Sequence, residues 1–170
     1  MSSCLFCDLV QKKANVLYED EKVFVMLAPD PAIPGHLLVL PKVHTPIFET
    51  VPDPVAGEMF KVANKLSTAL FEGLQAHGTN ILIQSGPTAG QKHNHAMIHV
   101  VPRFENDNLQ LAWNPKPASE EELTKAESAL KDETKSVGIF EKEKPKPIEA
   151  EKPKEIKKED ERLKRLRRIP

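Results

Sequence analysis

Two cysteines in 170 residues, Cys4 and Cys7, are too few for a disulfide framework. No basic segment precedes an apolar stretch at the N-terminus, so no signal peptide is expected. Uninterrupted apolar runs are only a few residues long, such as Leu37 to Leu40, which leaves no candidate transmembrane helix and no membrane partner. No internal repeat is visible. These absences make a reduced, cytoplasmic protein the expectation. An excess of charge of one sign is also missing, with 24 Lys and Arg against 25 Asp and Glu. That balance is an average over two unlike parts. From Glu141 to Pro170 there are twelve Lys and Arg against eight Asp and Glu, leaving twelve against seventeen in residues 1–140. An acidic body argues against a general nucleic-acid coat. The single tryptophan, Trp113, lies in a proline-rich stretch, where its large apolar area makes packing the expected role.

The length suggests one domain with an appendage. Hydrophobic residues make up 39% of the chain, below the usual globular share, and the deficit is local. From Glu141 the composition turns to Lys, Glu and Pro, which cannot bury a core and predicts disorder. The expected boundaries are a domain over residues 1–138 and a charged tail over 139–170. Within the tail, Ile156, Leu163, Leu166 and Ile169 are spaced for one face of a basic helix at 156–169. So short a helix is marginal in water and should form only on a partner, an acidic protein or RNA. Truncation after Gly138 should leave the melting temperature unchanged, because such a tail cannot offset its own ordering entropy. A drop of many degrees would show instead that it packs on the domain.

Within the domain, Val16 to Tyr18 and Lys22 to Leu27 read as strands joined through Glu19-Asp20-Glu21. Prolines 29, 31 and 34 forbid regular structure after them. Leu37 to Leu40 is a short buried-type strand. Val55, Met59, Val62, Leu66, Leu70 and Leu74 recur at helical spacing, predicting a long helix over 55–75, with Gly78 at a common stop position. Asn80 to Ile83 reads as a strand. Ser119 with Glu122 forms a capping box, opening a helix that runs to about Asp132.

The segment from Gly90 to Arg103 carries the most information. From His95 to Val101 it alternates and reads as a strand, which would put His95, Met97 and His99 on one face. Two imidazoles flanking a thioether resemble the His-x-His-x-His signature of the histidine triad (HIT) superfamily, with methionine at the central position. Other blocks agree. Gly35-His36-Leu37-Leu38-Val39-Leu40-Pro41-Lys42-Val43-His44 looks like the family's Gly-His-x-Leu-Val-hydrophobic-Pro-Lys-x-His. Gly86 and Ala89-Gly90-Gln91 resemble the glycine loop before the triad, and Val100-Val101-Pro102-Arg103 matches the residues after it. Cys4-Leu5-Phe6-Cys7 is similar to the N-terminal pair of zinc-bearing members of the Hint-like, nucleotide-binding branch. The resemblance covers about residues 3–117. It implies an α+β fold with an antiparallel sheet of about five strands, a long helix, a C-terminal helix, and a homodimer.

In that family the central histidine attacks the α-phosphorus of a nucleotide. The resemblance places purine-nucleotide contacts on His36, Gln84, Gly86, Gly90, Gln91, Lys92 and His99, and the catalytic positions on His95, Met97 and His99. Three positions depart from the pattern. The family's ribose-binding aspartate falls on Ala28, an asparagine falls on Gln84, and the nucleophile falls on Met97. Alanine accepts no side-chain hydrogen bond, and a thioether cannot act as the activated nucleophile that a covalent intermediate needs. Packing is the favoured role for Met97 itself. The first functional reading is therefore a HIT-domain nucleotide-binding protein with lost or strongly altered nucleotidyl hydrolase or transferase chemistry. A second is an active phosphoramidase or dinucleoside polyphosphate hydrolase in which water attacks directly. A third is a zinc-stabilised dimeric interaction module.

Cys4, Cys7, His44 and His95 form a second constellation. A Cys-x-x-Cys pair can place two thiolates on one ion, and two histidines complete a tetrahedral site. A redox pair is the weaker reading, because no βαβ pattern follows the motif. The matched positions in zinc-bearing relatives imply a structural zinc.

Overall fold

The computed structural model describes residues 4–138. The tail reading for 139–170 lies outside the described residues. The elements run α1 (Leu5–Gln11), β1 (Val16–Glu19), β2 (Val23–Leu27), β3 (Leu37–Pro41), α2 (Asp53–Leu74), β4 (Gly78–Leu82), β5 (Ile98–Arg103) and α3 (Glu120–Lys131), with short 3-10 turns between some of them. One five-stranded antiparallel sheet has the order β1-β2-β3-β5-β4. The architecture is α+β, as expected. Among the described residues no helix is long and apolar enough to cross a membrane.

Strand alternation divides the core into two layers. Val23, Val25, Leu37, Val39, Ile98 and Val100 face α2, which buries Met59, Ala63 and Leu70 against them. Pairing of Phe24 with Leu40, Met26 with Leu38, and Leu38 with His99 puts those residues on the opposite face. There Phe24, Met26, Leu38 and Leu40 pack with Phe6 of α1 and with Met97. The second layer is thin, and it carries the site.

Local chemistry explains the connections. The β1–β2 hairpin needs no glycine because Asp20 Oδ1 accepts from the amides of Lys22 and Val23, both at 2.7 Å. Helix α2 has Pro54 in its first turn, where a missing N–H costs nothing. It ends at Leu74 with Gln75 in the left-handed region, so the stop lies three residues before Gly78, which instead opens β4. Gly35 sits at φ +90°, and a Cβ there would come 2.5 Å from Leu74 Cδ1. Glycine is thus required in the turn that delivers His36 to the start of β3. Arg103 closes the far end of the sheet, donating to both Asp107 oxygens at 2.6 and 2.9 Å and to Asn80 Oδ1 at 2.7 Å. This fork holds the Asp107 carboxyl well below the usual carboxylate range.

The capping box of α3 is present: Ser119 Oγ accepts from the Glu122 amide, and Glu122 accepts from the Ser119 amide. Two expectations need correction. The strand predicted from His95 begins at Ile98. Residues before it bond elsewhere, the Ala96 amide donating to Thr45 O at 2.6 Å. Trp113 does not pack: it is 84% exposed, in an irregular stretch between β5 and α3.

Candidate functional site

His36 and His99 meet at the centre of the thin layer. His36 Nε2 lies 3.1 Å from His99 Nδ1, and the rings are 5.2 Å apart. The Ala32 amide donates to His36 Nδ1 at 3.1 Å. That donor fixes the tautomers in sequence. His36 keeps its lone pair on Nδ1, carries its proton on Nε2, and donates it to His99 Nδ1. His99 in turn holds its proton on Nε2, a donor suited to a phosphate oxygen.

Both rings are held neutral. Burial, and then the charge of His99, push the His36 pKa down to about 4, and burial lowers that of His99. The unfolded value lies near 6.5, so the unfolded chain takes up these protons first. Stability contributed by His36 is complete above about pH 6.5 and is lost as the pH falls toward 4, and that from His99 changes in the same direction. Between pH 7 and pH 5 the His36 part is on the order of 2 kcal/mol. Urea unfolding at both pH values should show this loss, and His36→Gln should flatten it. Equal stability of the wild type at the two pH values would contradict the assignment.

Met97 precedes His99 by two residues and is buried beside Phe6, Phe24, Met26, Leu38 and Leu40. Its surroundings are apolar, as a packing side chain requires. His95 does not join the His36–His99 pair. It is fully buried on the α1 side, its ring 6.2 Å from Phe6 and 5.3 Å from His44. The segment expected to align three side chains therefore splits between two neighbouring sites.

The glycine loop is held by its own turn and by Gln91. Gly86 and Gly90 have φ of +84° and +92° around a 3-10 turn at Pro87–Ala89. The amides of Ala89 and Gln91 bond to Gly86 O, and that of Gly90 to Pro87 O. The Gly86 amide donates to Gln91 Oε1, and Gln91 Nε2 donates to Pro46 O and His93 O, all at 2.7 Å. Gln91 thus staples the loop to the segment after β3. Gln84 lies against Gly90, where an added Cβ would come 2.6 Å from its Nε2. Lys92 lines a cavity of about 470 Å³ with Cys4, Cys7, His44 and His93.

That cavity adjoins the candidate metal centre. The donor atoms of Cys4, Cys7, His44 and His95 all lie within 4.8 Å of one another. Cys4 Sγ is 3.5 Å from His95 Nδ1, and Cys7 Sγ is 3.3 Å from His44 Nδ1 and 3.7 Å from His95 Nδ1. A tetrahedral ion bound at ordinary zinc distances requires sulfur–nitrogen separations of about 3.6 Å. Three sulfur–nitrogen separations of 3.3 to 3.7 Å lie close to that value, so the donor set suits a metal ion. His95 Nε2 lies 3.1 Å from Pro41 O, the backbone hydrogen bond that directs Nδ1 at a metal. Without an ion, burial and the Cys4 thiol raise the Cys7 pKa. A bound cation would reverse that preference. Sequence reasoning missed α1, which presents both thiols. Leu5, Phe6, Leu9 and Val10 at spacings of one and four were the available signal.

A five-stranded antiparallel sheet with one long helix, a histidine pair on the face opposite that helix and a Cys-His cluster where β3 ends define the class. Residues 10–106 match the HIT domain model, more than half of the chain, and the protein belongs to that family. It is 37% identical over 106 residues to an uncharacterised HIT-like protein of Methanocaldococcus jannaschii, covering 61% of this chain and 81% of that one. It is 33% identical over 110 residues to an adenylylsulfatase of Arabidopsis thaliana, covering 64% of this chain and 56% of that enzyme. The fold is similar to that of a zinc-bound histidine triad family protein from Mycobacterium smegmatis. That similarity has a TM-score of 0.59 and 35% identity, over 79% of this chain and 97% of that one.

Proposed function

We propose that this chain is a purine-nucleotide-binding HIT protein whose nucleotidyl hydrolase or transferase chemistry is lost or strongly altered. The observation that carries the reading is Met97. It occupies the position two residues before His99, packed among apolar side chains, and it has no nitrogen to form a phosphoramidate. His36 and His99 remain as a phosphate-binding pair, and Gly86, Gly90 and Gln91 belong to the proposed contacts through the shape of their loop, since their amides are bonded within it. The adenylylsulfatase relative supports an adenine nucleotide as ligand. Gln84 and Lys92 belong to the proposed contacts, and Ala28 leaves the ribose without a carboxylate. That loss costs roughly 1.5–3 kcal/mol, or about ten- to a hundred-and-fifty-fold in affinity.

Zinc is the proposed occupant of the Cys4, Cys7, His44 and His95 cluster, because two thiolates and two imidazoles in a tetrahedron suit it. A homodimer is the proposed assembly. Phe71 and Leu74 of α2 and Ile81 on the edge strand β4 are exposed apolar side chains that such pairing would cover.

Calorimetric titration with adenosine and guanosine monophosphates tests the binding reading. Saturable binding that His99→Ala abolishes is the expected result. No binding of either nucleotide would leave the interaction module. The intact His36–His99 pair favours one further reading, slow hydrolysis by direct attack of water on a phosphoramidate, with that pair stabilising the phosphate. Turnover without a covalent adduct would establish it.

A further inference from the structure

Helix α1 is fastened to the body through side chains. The backbone hydrogen bonds at its ends stay within the segment, from Asp8 to Cys4, Lys12 to Asp8, Lys13 to Val10 and Ala14 to Leu9. Phe6 is buried beside Met97, with Leu9 and Val10 at the margin of the same cluster. The two thiols supply the other attachment, to His44, His95 and the Asn94 carbonyl. Cys4 is the N-cap residue of α1, and Cys7 lies one turn further on. Helical geometry puts α-carbons three residues apart at about 5 Å, inside the window for a disulfide. Both thiols are half-buried and line the cavity of about 470 Å³, so a small oxidant can reach them.

We propose that Cys4 and Cys7 are a peroxide-sensitive pair whose oxidation releases the metal and unfastens α1 from the Met97 side of the nucleotide site. The proposal rests on the metal reading of the cluster. One thiolate attacks the O–O bond of a hydroperoxide, which breaks and leaves a sulfenic acid and an alcohol or water. The second sulfur displaces that oxygen, forming the S–S bond. The sulfurs lose two electrons, the peroxide oxygens gain them, and two protons from solvent complete the released water and alcohol. A disulfide offers no thiolate, so two of the four donors are gone and the ion departs. Phe6 and its neighbours alone then hold α1 over Met97.

The test uses the full chain loaded with zinc, its content established first by metal analysis. After hydrogen peroxide, a chromogenic chelator should detect one zinc released per bound zinc. Peptide mass spectrometry should find a Cys4–Cys7 link. Hydrogen exchange should accelerate over residues 5–11, and dithiothreitol with zinc should reverse all three. Cys7→Ser should form no such link. Zinc retained with both thiols intact would overturn the proposal, as would a disulfide that leaves exchange of 5–11 unchanged. If metal analysis finds no zinc, the metal reading fails separately. Peroxide is then applied to the chain as purified, where linkage with faster exchange supports the redox pair and its absence overturns it.

Discussion

Chelating the proposed zinc should lower the melting temperature by roughly 8–16 °C. The proposed zinc would bind the folded chain, where four donors are assembled, and not the unfolded one. At free metal a thousandfold above its dissociation constant this adds about 4 kcal/mol, and a domain of this size gains roughly 2–4 °C for each kcal/mol. Cys4→Ser should approach the same loss. His95→Ala should cost more than His44→Ala. His95 is fully buried and bonded to Pro41 O, so its removal also leaves a cavity and an unpartnered carbonyl, whereas His44 is exposed. Scanning calorimetry with and without a chelator, on protein purified without a histidine tag, reads all four. A metal-free protein of unchanged stability would remove zinc from the account.

The largest effect on activity is expected at Met97. Losing the nucleophile of a well-studied hydrolase costs about 10⁶ in kcat, and what remains comes from binding and electrostatics. Met97→His should therefore raise turnover of an adenosine phosphoramidate by orders of magnitude from a very low base. It should not restore it fully, because the new imidazole would enter an apolar cluster of Phe6, Phe24 and Met26, which disfavours its charged form. Met97→His with Ala28→Asp should do better, since the second change returns an acceptor to the ribose side. Single-turnover kinetics separates the two contributions. Equal rates for wild type and both variants would show that Met97 does not limit the chemistry.

The sheet was largely legible from the chain. Apolar and aromatic runs, prolines and the Glu19-Asp20-Glu21 connection marked β1 to β3, and apolar spacing marked α2. The capping box marked α3. The metal cluster was legible as a set of residues although its members lie up to 91 positions apart, because the Cys-x-x-Cys pair and the Pro-Lys-x-His block were matched together. Two features depended on tertiary context that local pattern does not carry. The alternation from His95 to Met97 looked like a strand, but the Ala96 amide bonds to the segment after β3, and the ladder starts at Ile98. The glycines of 86–90 marked a loop, but the Gln91 bonds that tie it to Pro46 and His93 could not be read locally. Trp113 was misjudged because area favours burial only where a surface exists to receive it.

The central claim is that this chain forms no covalent nucleotidyl intermediate. Mass spectrometry of the protein quenched during reaction with an adenosine phosphoramidate tests it most directly. The unmodified mass is expected for the wild type. For the Met97→His variant, an added adenylyl group on the introduced imidazole is expected. An adenylyl group mapped to any histidine of the wild-type chain would contradict the account and make the protein an active nucleotidyl enzyme.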